Sequence, residues 1–126
     1  MKTPEQLKYT KTHEWVASEA EGTLAVGITD HAQEVLGDMV FLELPAMGKR
    51  YAQGEACAVI ESVKAASDIN MPVVGVVIAV NEELAKSPEQ VNADAYSAWI
   101  LKIKPDNPGD IGSLMDAAAY AGHAED

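Results

Sequence analysis

The chain has 126 residues, 48% of them hydrophobic, and a formal net charge of −11 from 20 acidic and nine basic side chains. That length fits one domain with a substantial core. The charge works against nucleic acid, whose affinity comes mostly from Lys and Arg neutralising phosphates, and against an anionic membrane surface. No apolar run reaches the roughly 20 residues of a spanning helix, and a single cysteine, Cys57, rules out an internal disulfide.

Short segments rich in Val, Ile and aromatic residues, separated by Gly, Pro, Asn or Asp, predict strands over 7–10, 13–17, 23–28, 39–44, 56–62, 65–70, 73–80 and 99–104. Many short strands at this spacing predict a mainly β sandwich or barrel. Between the third and fourth strands, 29–36 predicts a short helix, with Thr29 or Asp30 as cap and Gly37 as terminator. The polar stretch 81–98 predicts irregular turns around Ser87-Pro88. Asn107-Pro108 predicts the start of a C-terminal helix over about 108–121, with Ile111, Leu114, Met115 and Ala118 forming one apolar stripe. Nothing in the sequence marks a linker or a second domain. The N-terminal stretch has no apolar secretory core and is short and acidic for a transit peptide, which leads us to expect a bacterial cytoplasmic protein.

Motifs for catalysis are scarce. His13-Glu14 opens like a zinc-protease helix, but Ala17 stands where the second histidine is required. Three histidines, His13, His31 and His123, have no partners at ligand spacing and predict no zinc site. Ser62 and Lys64, two apart, make a serine–lysine dyad conceivable, but no oxyanion site accompanies them.

The most informative stretch is Glu61-Ser62-Val63-Lys64-Ala65-Ala66-Ser67-Asp68. Lys64 falls between two predicted strands, with its nearest lysines at Lys49 and Lys86. An isolated amine between Val63 and Ala65 at a hairpin tip is open to a modifying enzyme. Glu-Ser-Val-Lys-Ala resembles the lipoyl-lysine segment of the glycine cleavage system H proteins. The resemblance extends, in order, through Thr12-His13-Glu14-Trp15-Val16, Gly27-Ile28-Thr29-Asp30-His31-Ala32-Gln33, Leu36-Gly37-Asp38, Val40-Phe41-Leu42-Glu43-Leu44-Pro45, Val80-Asn81 and Trp99-Ile100-Leu101-Lys102-Ile103.

That resemblance implies a flattened lipoyl/biotinyl-type barrel-sandwich hybrid, with a lipoyl core over about 23–104. It implies lipoate bound covalently to Lys64, with Glu61, Ser62, Val63 and Ala65 as the recognition context. It also implies a non-catalytic carrier serving a pyridoxal-phosphate glycine decarboxylase (P protein), a folate-dependent aminomethyltransferase (T protein) and dihydrolipoamide dehydrogenase (L protein). A lipoate ligase or octanoyltransferase would modify it. An H-like protein relaying lipoyl groups to other carriers is the alternative. By the same resemblance Thr12, Glu14 and Asp68 make polar contacts to the loaded arm, and Ile28, Ala32 and Leu36 line an apolar groove. Glu14 is expected to be an exposed carboxylate that contributes little to folding. Biotin is disfavoured, because biotinyl lysines usually lie between methionines.

Overall fold

The computed structural model describes residues 2–125. Nine strands and four α-helices follow in chain order: β1 Lys8–Tyr9, β2 Glu14–Ser18, β3 Leu24–Ile28, α1 Asp30–Leu36, β4 Met39–Glu43, β5 Arg50–Tyr51, β6 Ala56–Ser62, β7 Ala66–Asn70, β8 Gly75–Val80, α2 Glu82–Lys86, α3 Gln90–Ala93, β9 Leu101–Pro105 and α4 Ala117–Glu125. They build a six-stranded sheet, ordered β1-β2-β3-β9-β8-β5, and a three-stranded sheet, ordered β4-β6-β7. The inner faces of both sheets meet in one core that includes Leu24, Val26, Leu42, Ile60, Ile69 and Ile103. Each fully buried Leu or Ile contributes about 1.5–3 kcal/mol through the apolar area removed from water. The mainly β, two-sheet sandwich expected from the sequence is the architecture observed.

β3 is buried along its whole length because both of its faces are covered. Its alternate residues Ala25 and Gly27 face away from the main core, toward a second cluster built on Leu7, Tyr9, Trp15 and Tyr120. Gly27 pairs with Trp15, and a Cβ there would lie 2.6 Å from the indole. Only glycine lets the ring lie flat on the strand, where its Nε1–H donates to Ala95 O at 3.0 Å.

A C-terminal helix is present as expected, as α4, but two predictions are corrected in their detail where local sequence signals are weak. The stretch 81–98 is not merely irregular: it folds into α2, capped by the Asn81 side chain, and α3, which buries Val91. The expected helix over about 108–121 is broken. Asn107 caps and Pro108 begins a turn as predicted, but it is a 3₁₀ turn over Pro108–Ser113. The chain then extends so that Met115 exchanges backbone hydrogen bonds with Tyr9, at 2.8 and 2.9 Å, before α4 begins. Pairing with the edge of β1 satisfies backbone groups there more effectively than continuing a helix. The stripe from Ile111 to Ala118 is therefore not one helical face.

Candidate functional site

Lys64 lies in the three-residue connection between β6 and β7, which pair in antiparallel register from Ala56↔Asn70 to Glu61↔Ala66. The turn is organised by Ser62. Its Oγ donates to Ala65 O at 3.1 Å and accepts the N–H groups of Lys64 and Ala65, at 3.3 and 3.1 Å. The Ser62 N–H also donates to Ala65 O at 2.7 Å, and the Val63 N–H donates to Asp38 O at 3.0 Å. The buried Ser62 hydroxyl therefore closes a turn, and its only proton is aimed away from Lys64, which removes the serine–lysine dyad. Ser62→Ala should leave two turn N–H groups without an acceptor, lowering stability by about 1 kcal/mol. Modification of Lys64 should slow along with it. A thermal melt and a timed lipoylation assay check both parts.

Lys64 itself is exposed, and among the described residues no carboxylate forms an ion pair with its amine. Its stem passes over Gly37, where an added Cβ would stand 3.7 Å from Lys64 Cε. Gly37 also ends α1, with φ at 84° and its N–H donating to Gln33 O at 2.9 Å. That left-handed conformation favours glycine.

A residue that sequence reasoning missed anchors this platform. Asn92 of α3 accepts the Met39 N–H at 2.9 Å and donates to Gly37 O at 2.9 Å and Gln33 Oε1 at 3.0 Å. It thereby ties the end of α1 and the start of β4 together, directly beside Asp38, which holds the lysine turn. The only sequence signal for it was an asparagine within a polar stretch, which is indistinguishable from a turn residue.

Beside the turn lies a cleft of about 160 Å³, walled by Thr12 and His13, by His31, Ala32, Val35 and Leu36 of α1, and by Ser67 of β7. Two of the three expected groove residues, Ala32 and Leu36, are brought together here with Thr12, one of the expected polar contacts. Ile28 is in the core, 4% exposed, and does not line the cleft. On β7, Ser67 shares a face with the buried Ile69, so strand alternation puts the exposed Asp68 on the other side. Val63 is 70% exposed at the tip, Ala65 is exposed, and Glu61 is half-buried in the β6 ladder.

The expectation of an exposed Glu14 is overturned: the residue is 1% exposed. Its Oε1 accepts the hydroxyls of Thr10 and Thr12, the latter at 2.6 Å, and its Oε2 accepts the Asn70 N–H at 3.2 Å. Burial pushes the Glu14 carboxyl up from its ordinary value, while these three donors oppose the rise. β2 turns this residue inward, and the carboxylate lies behind Thr12, which itself lines the cleft.

The three histidines, far apart in sequence, converge at the cleft's edge. The His13 ring centroid is 4.6 Å from that of His31 and 5.5 Å from that of His123. The long-range packing of α4 and α1 against His13, invisible in ligand spacing, produces this cluster. Among the described residues no group of three or more His, Cys, Asp or Glu side chains is arranged to hold a metal ion. No helix among them is long and apolar enough to cross a membrane.

The family model described as glycine cleavage H-protein matches residues 7–126. A protein of Thiobacillus denitrificans named glycine cleavage system H protein is 62% identical over 120 residues, covering 95% of this chain and 93% of that one. One of the same name from Azoarcus sp. is 64% identical over 118 residues, covering 94% and 93%. The crystal structure of a glycine cleavage system H protein from Mycobacterium marinum superimposes with a TM-score of 0.87 at 36% identity, covering 97% of this chain and 98% of that one. An exposed lysine on a braced turn, a cleft beside it and a match across nearly the whole chain lead to one conclusion: this chain belongs to the glycine cleavage H-protein family.

Proposed function

We propose that this protein is the lipoyl-lysine carrier of a glycine cleavage system, with lipoate joined as an amide to Lys64 Nζ. The observation that supports this most directly is the placement of Lys64, an exposed amine at the tip of a turn braced by Ser62 and Asp38, with its stem over Gly37. The residues present fit the group: the amine is reachable, and the neighbouring cleft has an apolar wall of Ala32, Val35 and Leu36 and polar walls at Thr12 and Ser67. When bound, lipoate supplies a dithiolane able to accept an aminomethyl group and electrons, and the protein supplies placement.

In this reading the carrier takes the aminomethyl group from the pyridoxal-phosphate glycine decarboxylase and delivers it to the folate-dependent aminomethyltransferase. Electrons go on to dihydrolipoamide dehydrogenase, and a lipoate ligase or octanoyltransferase installs the group. The chain is a shared substrate with no catalytic residue of its own, and a cytoplasmic location accompanies that role. The cleft shelters a cationic amine from water, with Thr12 at its wall and Glu14 behind as the polar contacts.

Intact-mass spectrometry of protein isolated from its own cells tests the reading. The expected result is the mass of the chain plus one lipoyl amide, located at Lys64 by peptide fragmentation. An unmodified chain from cells that lipoylate their other carriers, or a biotinyl mass, would count against it.

A further inference from the structure

His13 lines the cleft beside the lysine turn. Its backbone is left-handed, with φ at 73°, an uncommon conformation for a residue with a side chain. That conformation aims the imidazole between α1 and α4, where His13 Nδ1 lies 2.7 Å from the Tyr120 hydroxyl. The same hydroxyl lies 2.7 Å from Thr29 Oγ1, and Tyr120 is stacked on Tyr9 with ring centroids 4.6 Å apart.

The direction of this relay follows from donor counting. Thr29 is fully buried, and its Oγ1 already accepts the Ala32 N–H at 3.2 Å. Its hydroxyl proton has one acceptor among the described residues, the Tyr120 oxygen. Thr29 therefore donates to Tyr120, Tyr120 donates to His13 Nδ1, and neutral His13 carries its proton on Nε2. The reverse order would leave a buried hydroxyl proton unpaired. Protonating His13 places a hydrogen on Nδ1, turns the Tyr120 hydroxyl back toward Thr29 and creates that orphan.

The surroundings add to the resistance. Burial, followed by the neighbouring His31 and His123, lowers the His13 pKa from its ordinary value. His31 approaches from α1, and Tyr120 and His123 approach from α4, with His123 Nε2 donating to Lys11 O at 2.8 Å. Two carboxylates lie near in the chain, and both are engaged elsewhere. Glu14 is held by Thr10, Thr12 and Asn70, and Asp30 accepts from the Lys2 N–H and Gln33 Nε2. Among the described residues, neither of these carboxylates hydrogen-bonds or pairs with His13.

We propose that His13 is a positioning residue that tunes the cleft's charge: held neutral by the Thr29–Tyr120 relay, it admits a cationic amine, and once protonated it expels one. The inference rests on the carrier reading. Its consequence is reciprocal linkage, since a bound cation and a proton on His13 oppose each other by the same factor.

Imidazole NMR titrations of the lipoylated protein, with and without the aminomethyl group, measure this coupling. The His13 midpoint should fall on loading, and each unit of fall corresponds to tenfold weaker retention of the amine once His13 is protonated. Ammonia release from loaded protein should accelerate as pH falls through the His13 midpoint. Tyr120→Phe keeps the ring stacked on Tyr9 and removes the relay, so the midpoint and the release profile should move together to higher pH. His31→Asn removes a neighbouring imidazole and should move both the same way, which serves if Tyr120→Phe folds poorly. A His13 midpoint that ignores loading, or a release profile that does not follow it in the variants, overturns the inference while leaving the carrier reading intact. A protein that takes no lipoyl group at Lys64 removes both.

Discussion

If Lys64 carries the lipoyl group, as proposed, Lys64→Arg should abolish lipoylation while leaving the fold unchanged. Arginine keeps the positive charge, but its guanidinium remains protonated and does not form the amide that an ammonium side chain yields on deprotonation. Lys64 is exposed and makes no side-chain ion pair among the described residues, so the exchange disturbs no structural contact. Purified unmodified protein incubated with a lipoate ligase, followed by intact mass, reads the result. Full labelling of the arginine variant would place the site elsewhere.

A companion variant, Val63→Lys with Lys64→Val, asks whether position matters as well as chemistry. The residue 63 backbone is fixed to Asp38 O and the residue 64 N–H to Ser62 Oγ, so the two side chains leave a rigid turn in different directions. Misplacing a reacting group by about 1 Å can cost about 10²-fold in rate, so labelling should fall by roughly that factor with an unchanged melt. Equal labelling would show that the modifying enzyme reads the linear segment and not its shape.

Glu14→Gln should affect both stability and retention of the loaded arm. Glutamine supplies one oxygen where the carboxylate supplies two, and its amide sets a donor against either the Asn70 N–H or the threonine hydroxyls. A buried donor left unpaired costs about 1–3 kcal/mol. The pH dependence has a definite sign. Burial raises the Glu14 pKa in the folded state above its ordinary value of 4.5, so its contribution to stability is complete below that value and is lost as pH rises through the folded value. The destabilisation by glutamine, which does not titrate, is therefore largest in acid and shrinks toward neutrality. Denaturant melts at several pH values test this.

Retention of a cationic amine is the second readout. Held behind Thr12, the carboxylate acts on the amine only through Thr12 and its own charge. Ammonia release from the loaded variant should therefore rise, but by less than the roughly tenfold or more that a direct charge-assisted contact of about 1.5–3 kcal/mol would give. A lowered melt with unchanged release would make Glu14 a purely structural residue supporting Thr12.

Local signals carried much of the reading. β6 spans 56–62 as expected, because a short apolar run bounded by Gly54 and by the Ser62 turn needs no distant information. Thr29 caps α1 and Gly37 ends it for the same reason: caps and left-handed terminators are chemistry within a few residues. Lys64 stood out as a candidate site because its isolation and its flanking residues are properties of the string. Other features depended on where the chain returns. Helices of five and four residues are too short to display a 3.6-residue period, so α2 and α3, and with them the Asn92 anchor, were hidden. The break before α4 arose because the edge of β1 offered Met115 a pairing partner. Glu14 reads as a surface carboxylate until Thr10, Thr12 and Asn70 surround it, and His13, His31 and His123 share no spacing until α1 and α4 close on β2. Sequence alone singled out the lysine proposed to carry the cofactor and determined the hairpin that presents it. Tertiary packing decided what surrounds that residue, because burial, charge and donor pairing are properties of neighbours brought together from distant parts of the chain.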